Sequence, residues 1–188
     1  MQILAVDVGT GTQDVLLFDT ERSPENALKL VMPSPTAILA RAIAAATRTG
    51  VDLLLTGVTM GGGPCSWAAR EHLEAGYRVF ATPDAARTFN DDLAEVATMG
   101  VEVVSEEEAQ HLAAVRTLTM IDFDYGGLAR AFGAFGVELD NVDVLAVAVF
   151  DHGAAPPGVS DRLFRFEYLA ERIQEGGGLP GFAFVRDE

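Results

Sequence analysis

Apolar and polar positions alternate in short blocks from the start of the chain. Residues 3–6 form an apolar run closed by Asp7, and residues 15–18 form another closed by Asp19. The stretch between them is rich in glycine and threonine, so the pair predicts a hairpin with a widened tip. Residues 28–31 predict a third strand. Ser34, Pro35 and Gly50 then supply a helix cap, a first helical residue and a stop. The body between them, residues 38–47, is rich in alanine and predicts a helix able to pack closely on a sheet. Residues 51–55 are apolar apart from Asp52 and predict a strand of the kind covered on both faces.

The alternation continues. Gly61-Gly62-Gly63-Pro64 leads into a helix predicted over about residues 65–74, with Gly76 as its stop. A strand over residues 77–80 and a helical stretch opened by Pro83 follow. Three strands in an antiparallel meander, then alternating helices and strands, give the order β-β-β-α-β-α-β-α, narrower than generic α/β alternation. Beyond Gly100 the pattern predicts strands over residues 101–104, 118–121 and 142–149. Helices are predicted after the capping box Ser105-Glu106-Glu107-Glu108, over residues 128–135, and over residues 162–174. After the loose run Gly176-Gly177-Gly178, residues 182–185 predict one more strand. The 188 residues suit one α/β domain spanning residues 1–188.

Composition narrows the partners. Apolar residues make up 49% of the chain, enough for a sizeable core and too many for disorder. The net charge of -15 repels phosphate backbones, which disfavours nucleic acid and anionic membrane. The longest apolar runs fall short of a membrane span. The lone cysteine, Cys65, allows no internal disulfide and fits a reducing cytoplasm. No basic stretch precedes the first apolar run, so no signal peptide is expected.

The hairpin tip carries the candidate chemistry. A phosphate needs converging N–H donors and a backbone that approaches closely, which glycine permits because it has no Cβ. Gly9 and Gly11 give that approach, Thr10 and Thr12 add hydroxyl donors, and Asp7 at the strand end is placed to hold Mg²⁺ directly or through water. The competing reading is a glycine-rich turn with no ligand. The aspartate offset and the two strand-like flanks favour the phosphate.

These residues carry a resemblance. Asp7-Val8-Gly9-Thr10-Gly11-Thr12 resembles the first phosphate motif of the superfamily of actin, hexokinase and the heat-shock chaperone ATPases. The run on to Asp14 and Asp19 is similar to the N-terminal motif of hydantoinase and oxoprolinase proteins. The resemblance implies an actin-like ATPase (ribonuclease H-like) fold, with ATP and Mg²⁺ bound around the tip and Asp14. More narrowly, Gly11-Thr12-Gln13-Asp14, Thr59-Met60-Gly61-Gly62-Gly63-Pro64, Phe89-Asn90-Asp91-Asp92 and Asp151-His152-Gly153 resemble an uncharacterised prokaryotic family. Its members are labelled putative pyruvate formate-lyase activating enzymes, and the resemblance runs along the whole chain. Activases of that name are radical enzymes that hold an iron–sulfur cluster with three cysteines. Cys65 alone does not supply them, so no iron–sulfur cluster is expected. The superfamily also carries a second lobe with a second phosphate hairpin. No further aspartate-glycine-threonine hairpin follows Asp19, so the chain is expected to be an N-terminal part lacking that lobe. An apolar face left in this way would be covered by a partner or a second copy.

Other candidates surround this centre. Gly61, Gly62 and Gly63 precede a helix N-terminus, where an anion can bind, and could line one cleft with the hairpin; the alternative is a tight strand-to-helix connection. Asp151 and His152 end an apolar strand and are the candidate catalytic pair, one orienting water or Mg²⁺ and the other moving a proton. Arg162 and Arg165 follow as candidate phosphate or carboxylate binders. The bland alternative for this group is a capped turn and a solvated helix face. Cys65 reads as a buried structural cysteine, and Asn90-Asp91-Asp92 as a helix cap. Three functions stay open: an ATP-dependent kinase, hydrolase or activator; a non-catalytic binding module; and a metal-dependent hydrolase centred on Asp151 and His152.

Overall fold

Period-two burial builds the first sheet. In the computed structural model, residues 1–149, 155–156 and 159–183 are described. Strands β1 (Gln2–Val8) and β2 (Thr12–Asp19) form an antiparallel hairpin, with Ile3 opposite Phe18 and Val6 opposite Val15. Strand β3 (Leu28–Pro33) adds antiparallel to β2. Alternation sends Leu4, Val6, Val8, Val15 and Leu17 to one buried face.

Helix α1 (Pro35–Thr49) begins and ends where its sequence directs. Ser34 accepts a hydrogen bond from the Ala37 amide, and Gly50 closes the helix in the left-handed region at φ 69°. The chain alternates from there through β4 (Leu53–Gly57), α2 (Pro64–Glu74), β5 (Val79–Ala81), the short turns α3 (Pro83–Ala86) and α4 (Leu93–Thr98), and β6 (Val101–Val103). Then come α5 (Glu106–His111), β7 (Arg116–Met120), α6 (Tyr125–Gly133) and β8 (Val144–Ala148). The protein is thus α/β, with the expected β-β-β-α-β-α-β-α start.

The strands fall into two four-stranded sheets. The first has the order β3-β2-β1-β8, with β8 parallel to β1. Its buried face packs on Leu128 and Phe132 of α6 and on Leu139. The second has the order β6-β5-β4-β7 and is parallel throughout. One of its faces packs Leu53, Leu55 and Val79 against Ile43 and Ala46 of α1 and Ala68 and Ala69 of α2. The other packs Leu54 and Phe80 against Ala109 of α5. Cover on both faces explains why β4 and β5 read as unbroken apolar runs. Each fully buried Leu or Ile contributes about 1.5–3 kcal/mol, and the alanines let α1 and α2 approach closely.

Some boundaries differ from the pattern. Strand β4 starts at Leu53 because the Asp52 carboxylate accepts the Arg78 amide at 2.9 Å and its carbonyl accepts the Arg116 amide at 2.8 Å. Helix α6 starts three residues early because Asp124 caps it through the Gly127 amide at 2.8 Å. The strand expected over residues 182–185 is replaced at its start by a 3-10 turn, Leu179–Phe182, with Pro180 early in the turn and Gly178 before it. Residues 184 and 185 lie outside the described residues.

The chain divides into two compact units, residues 1–150 and 151–188. The second contains α7 (Asp161–Gln174), capped by Ser160, and the 3-10 turn. Among the described residues, no helix is long and apolar enough to cross a membrane.

Candidate functional site

The tip of the β1–β2 hairpin is closed by the Gly9 amide donating to the Thr12 carbonyl at 2.9 Å. A Cβ on Gly9 would lie 2.9 Å from that same oxygen, so the turn needs glycine there. Gly11 is different: a Cβ would meet nothing within 4 Å among the described residues. Thr10, Gly11 and Thr12 are exposed.

Ser34 clamps this tip to α1. It is fully buried, and its hydroxyl donates to the Thr10 carbonyl at 2.8 Å while accepting from the Ala37 amide at 3.3 Å. Its own amide donates to the Gly11 carbonyl at 3.1 Å. The cap that starts the helix therefore also fixes the orientation of the glycine tip.

The second glycine loop is tied to the same helix turn. The Thr36 hydroxyl donates to the Gly62 carbonyl and accepts from the Cys65 amide at 3.3 Å. Asp122, just past β7, accepts the Gly61 amide at 3.0 Å. Gly63 has φ 58°, and a Cβ there would lie 3.0 Å from Cγ2 of Thr10. The structure thus brings Gly63 close to the hairpin tip, with Gly62 tied through Thr36 to the helix that Ser34 caps. Among the described residues, the amides of Thr10, Gly11, Gly62 and Gly63 donate no hydrogen bond. The N-termini of α1 and α2, which carry partial positive charge, begin beside them.

Asp7 and Asp14 are cross-strand partners near the tip, both exposed. Neither makes an ion pair or side-chain hydrogen bond among the described residues. No group of three His, Cys, Asp or Glu side chains gathers among the described residues. A cation held here would accordingly draw most of its ligands from water and phosphate, as Mg²⁺ tolerates.

The other sequence candidates separate from this centre. Asp151 and His152 lie outside the described residues, as does the Arg162 side chain. Arg165 is half-buried on α7, in the second unit. Cys65 is fully buried, with Sγ 3.4 Å from the Gly62 carbonyl. Burial pushes its thiol pKa up, which disfavours the thiolate that a nucleophile needs. Asp92 caps α4 through the Ala94 amide at 2.9 Å, and Asn90 accepts the Asp92 amide. Thr36 and Asp122 escaped the sequence reading. Their partners lie 26 and 61 residues away, and only the placement of Asp122 after a strand hinted at a role.

In a comparison with known families, the model of a family described as "Putative pyruvate format-lyase activating enzyme (DUF1786)" matches residues 60–188. None of the curated proteins compared matches the chain. The matched segment contains the Gly61–Gly63 loop and starts after the hairpin.

Proposed function

The chain belongs to that family, and we propose that it binds the phosphates of ATP, with Mg²⁺, in the cradle formed by the hairpin tip and the Gly61–Gly63 loop. The observation that carries this reading is the close approach of Thr10 to Gly63, where a Cβ would lie 3.0 Å from Thr10 Cγ2, held from behind by Ser34 and Thr36 at the start of one helix. Two loops with undonated amides meet there, at the start of two helices. Backbone amides of this kind favour a compact anion, and the helix ends add to the field.

The β-β-β-α-β-α order of elements along the chain and the Asp7 to Thr12 motif support placing the chain with the actin-like ATPases. In that role Gly11 leaves room for a phosphate, Thr10 and Thr12 donate hydroxyl hydrogen bonds, and Asp7 with Asp14 draws in the cation. Mg²⁺ supplies charge neutralisation of the phosphate oxygens. The iron–sulfur chemistry suggested by the family description does not fit these residues. Its three thiolates would have to come from a chain that has one cysteine, and that one is buried.

Calorimetric titration with ATP and Mg²⁺ tests the reading, with Gly11→Val as the control. Among the described residues a Cβ at this position meets nothing within 4 Å, so the variant is expected to keep its fold while its side chain fills the phosphate approach. Trp67, the single tryptophan, is 65% exposed on α2 and provides a fluorescence readout of the same titration. Saturable binding by the wild type that the variant loses supports the cradle. An absence of binding by the wild type overturns it, and turnover of bound ATP separates an enzyme from a binding module.

A further inference from the structure

A second site lies in the first unit behind the hairpin, on the core side of the sheet. It is a cavity of about 340 Å³, large enough for a small organic molecule. Its walls come from β2, β3, α1, β7 and α6, and they are mostly apolar: Met32, Leu39, Met60, Leu118 and Leu128 among them. Ile38 and Ile121, 52% and 38% exposed, also line it and mark an open side.

One polar group in this wall is out of balance. Gln13 is 7% exposed and lines the cavity. Its Nε2 donates to the Pro33 carbonyl at 3.0 Å, while among the described residues its Oε1 has no hydrogen-bond partner and almost no accessible surface, so a molecule in the cavity reaches it through a small shift of the amide. A buried acceptor left unpaired costs on the order of 1–3 kcal/mol. The acid in the wall is already engaged: Asp124 accepts the Gly127 amide at 2.8 Å and lies 3.7 Å from the Arg130 guanidinium.

We infer that this cavity binds a small, uncharged, largely apolar molecule carrying one hydrogen-bond donor, such as an alcohol, phenol or ring N–H, which pairs with Gln13 Oε1. The apolar walls disfavour a desolvated charge of either sign, and Asp124 with the net charge of -15 disfavours an anion further. The site is separate in chemistry from the phosphate cradle and does not depend on it.

The test uses phenol and toluene as probes of one size, with and without the donor. Ligand-observed NMR titrations on the full chain are compared with Ala42→Phe and Ala131→Phe, which fill the cavity from α1 and from α6, and with Gln13→Met. Thermal unfolding identifies which variants retain a cooperative fold. Both probes are expected to bind the wild type, phenol more tightly by about three- to tenfold. A folded filling variant loses both probes, and Gln13→Met keeps toluene while losing the preference for phenol. Should neither filling variant fold, the Gln13→Met comparison alone decides. No binding by the wild type, binding that survives filling, or a phenol preference that is absent or unchanged in Gln13→Met overturns the inference.

Discussion

Asp7 and Asp14 stand directly opposite each other across the β1–β2 ladder, both exposed and on the face away from the Leu4, Val6 and Val15 core. Side chains so paired lie about 5 Å apart at Cβ, and like charges at that spacing repel. The arrangement destabilises the hairpin unless a cation joins it, which is what a metal-assisted phosphate site would tolerate. Asp14→Asn is therefore expected to raise stability by about 0.2–1 kcal/mol in urea unfolding without divalent ions. Millimolar Mg²⁺ should then stabilise the wild type more than the variant. A variant less stable than the wild type, or an equal response to Mg²⁺, would count against the acids acting as a pair.

Glycines at the two ends of this region should respond in opposite ways. Gly57 has φ 104°, and a Cβ there would lie 2.3 Å from the Met120 carbonyl oxygen, because β4 and β7 close tightly. Gly57→Ala is expected to lose about 3 kcal/mol or more, since neither the dihedral nor the backbone neighbour can yield cheaply. Gly11→Val should stay within about 0.5 kcal/mol of the wild type. Chemical denaturation of both variants checks the contrast, and a large loss in Gly11→Val would remove it as a clean probe of the cradle.

The elements that were legible in the sequence are those fixed by neighbours. Ser34, Pro35 and Gly50 delimit α1 because a cap, a fixed φ and a left-handed stop act within one turn. The Ser105–Glu108 capping box forms with both of its hydrogen bonds for the same reason. The division into two sheets was not legible. Apolar runs such as residues 53–55 and 144–148 show that a strand is buried or paired, and they do not name the partner strand. The site splits along the same line. Gly9 and Gly11 announced a turn, while the hold of Thr36 on Gly62 and of Asp122 on Gly61 depends on chain segments that only folding brings together.

Ser34 joins the cap of α1 to the hairpin tip, so its removal should affect both. Ser34→Ala deletes a hydroxyl that donates to the Thr10 carbonyl and accepts from the Ala37 amide, in a fully buried position. The expected loss is about 1–2 kcal/mol, from the cap and from a carbonyl left unpaired. Ser34→Thr keeps the hydroxyl and should recover part of it. Thermal unfolding measures the loss. If the cradle reading holds, ATP affinity falls with it, while a stability loss that leaves affinity intact would show that the tip orients itself without α1.

His72 makes folding sensitive to acid. It is fully buried on α2, with Nδ1 2.8 Å from the Thr47 hydroxyl, its ring against Tyr77, and Nε2 without a hydrogen-bond partner among the described residues. Burial pushes its pKa below the ordinary 6.5. This outweighs the opposing pull of the Arg78 backbone and of Asp52 toward the charged form. A folded chain that refuses a proton the unfolded chain accepts loses stability as pH falls. The contribution is fully present above pH 6.5 and is lost progressively below it, until the lowered folded-state pKa is reached. Urea midpoints measured from pH 8 to pH 5 should therefore decline below about 6.5, and the decline should be shallower in His72→Gln, which keeps a hydrogen-bonding side chain and cannot titrate. Parallel profiles for the two proteins would assign the acid sensitivity to groups other than His72.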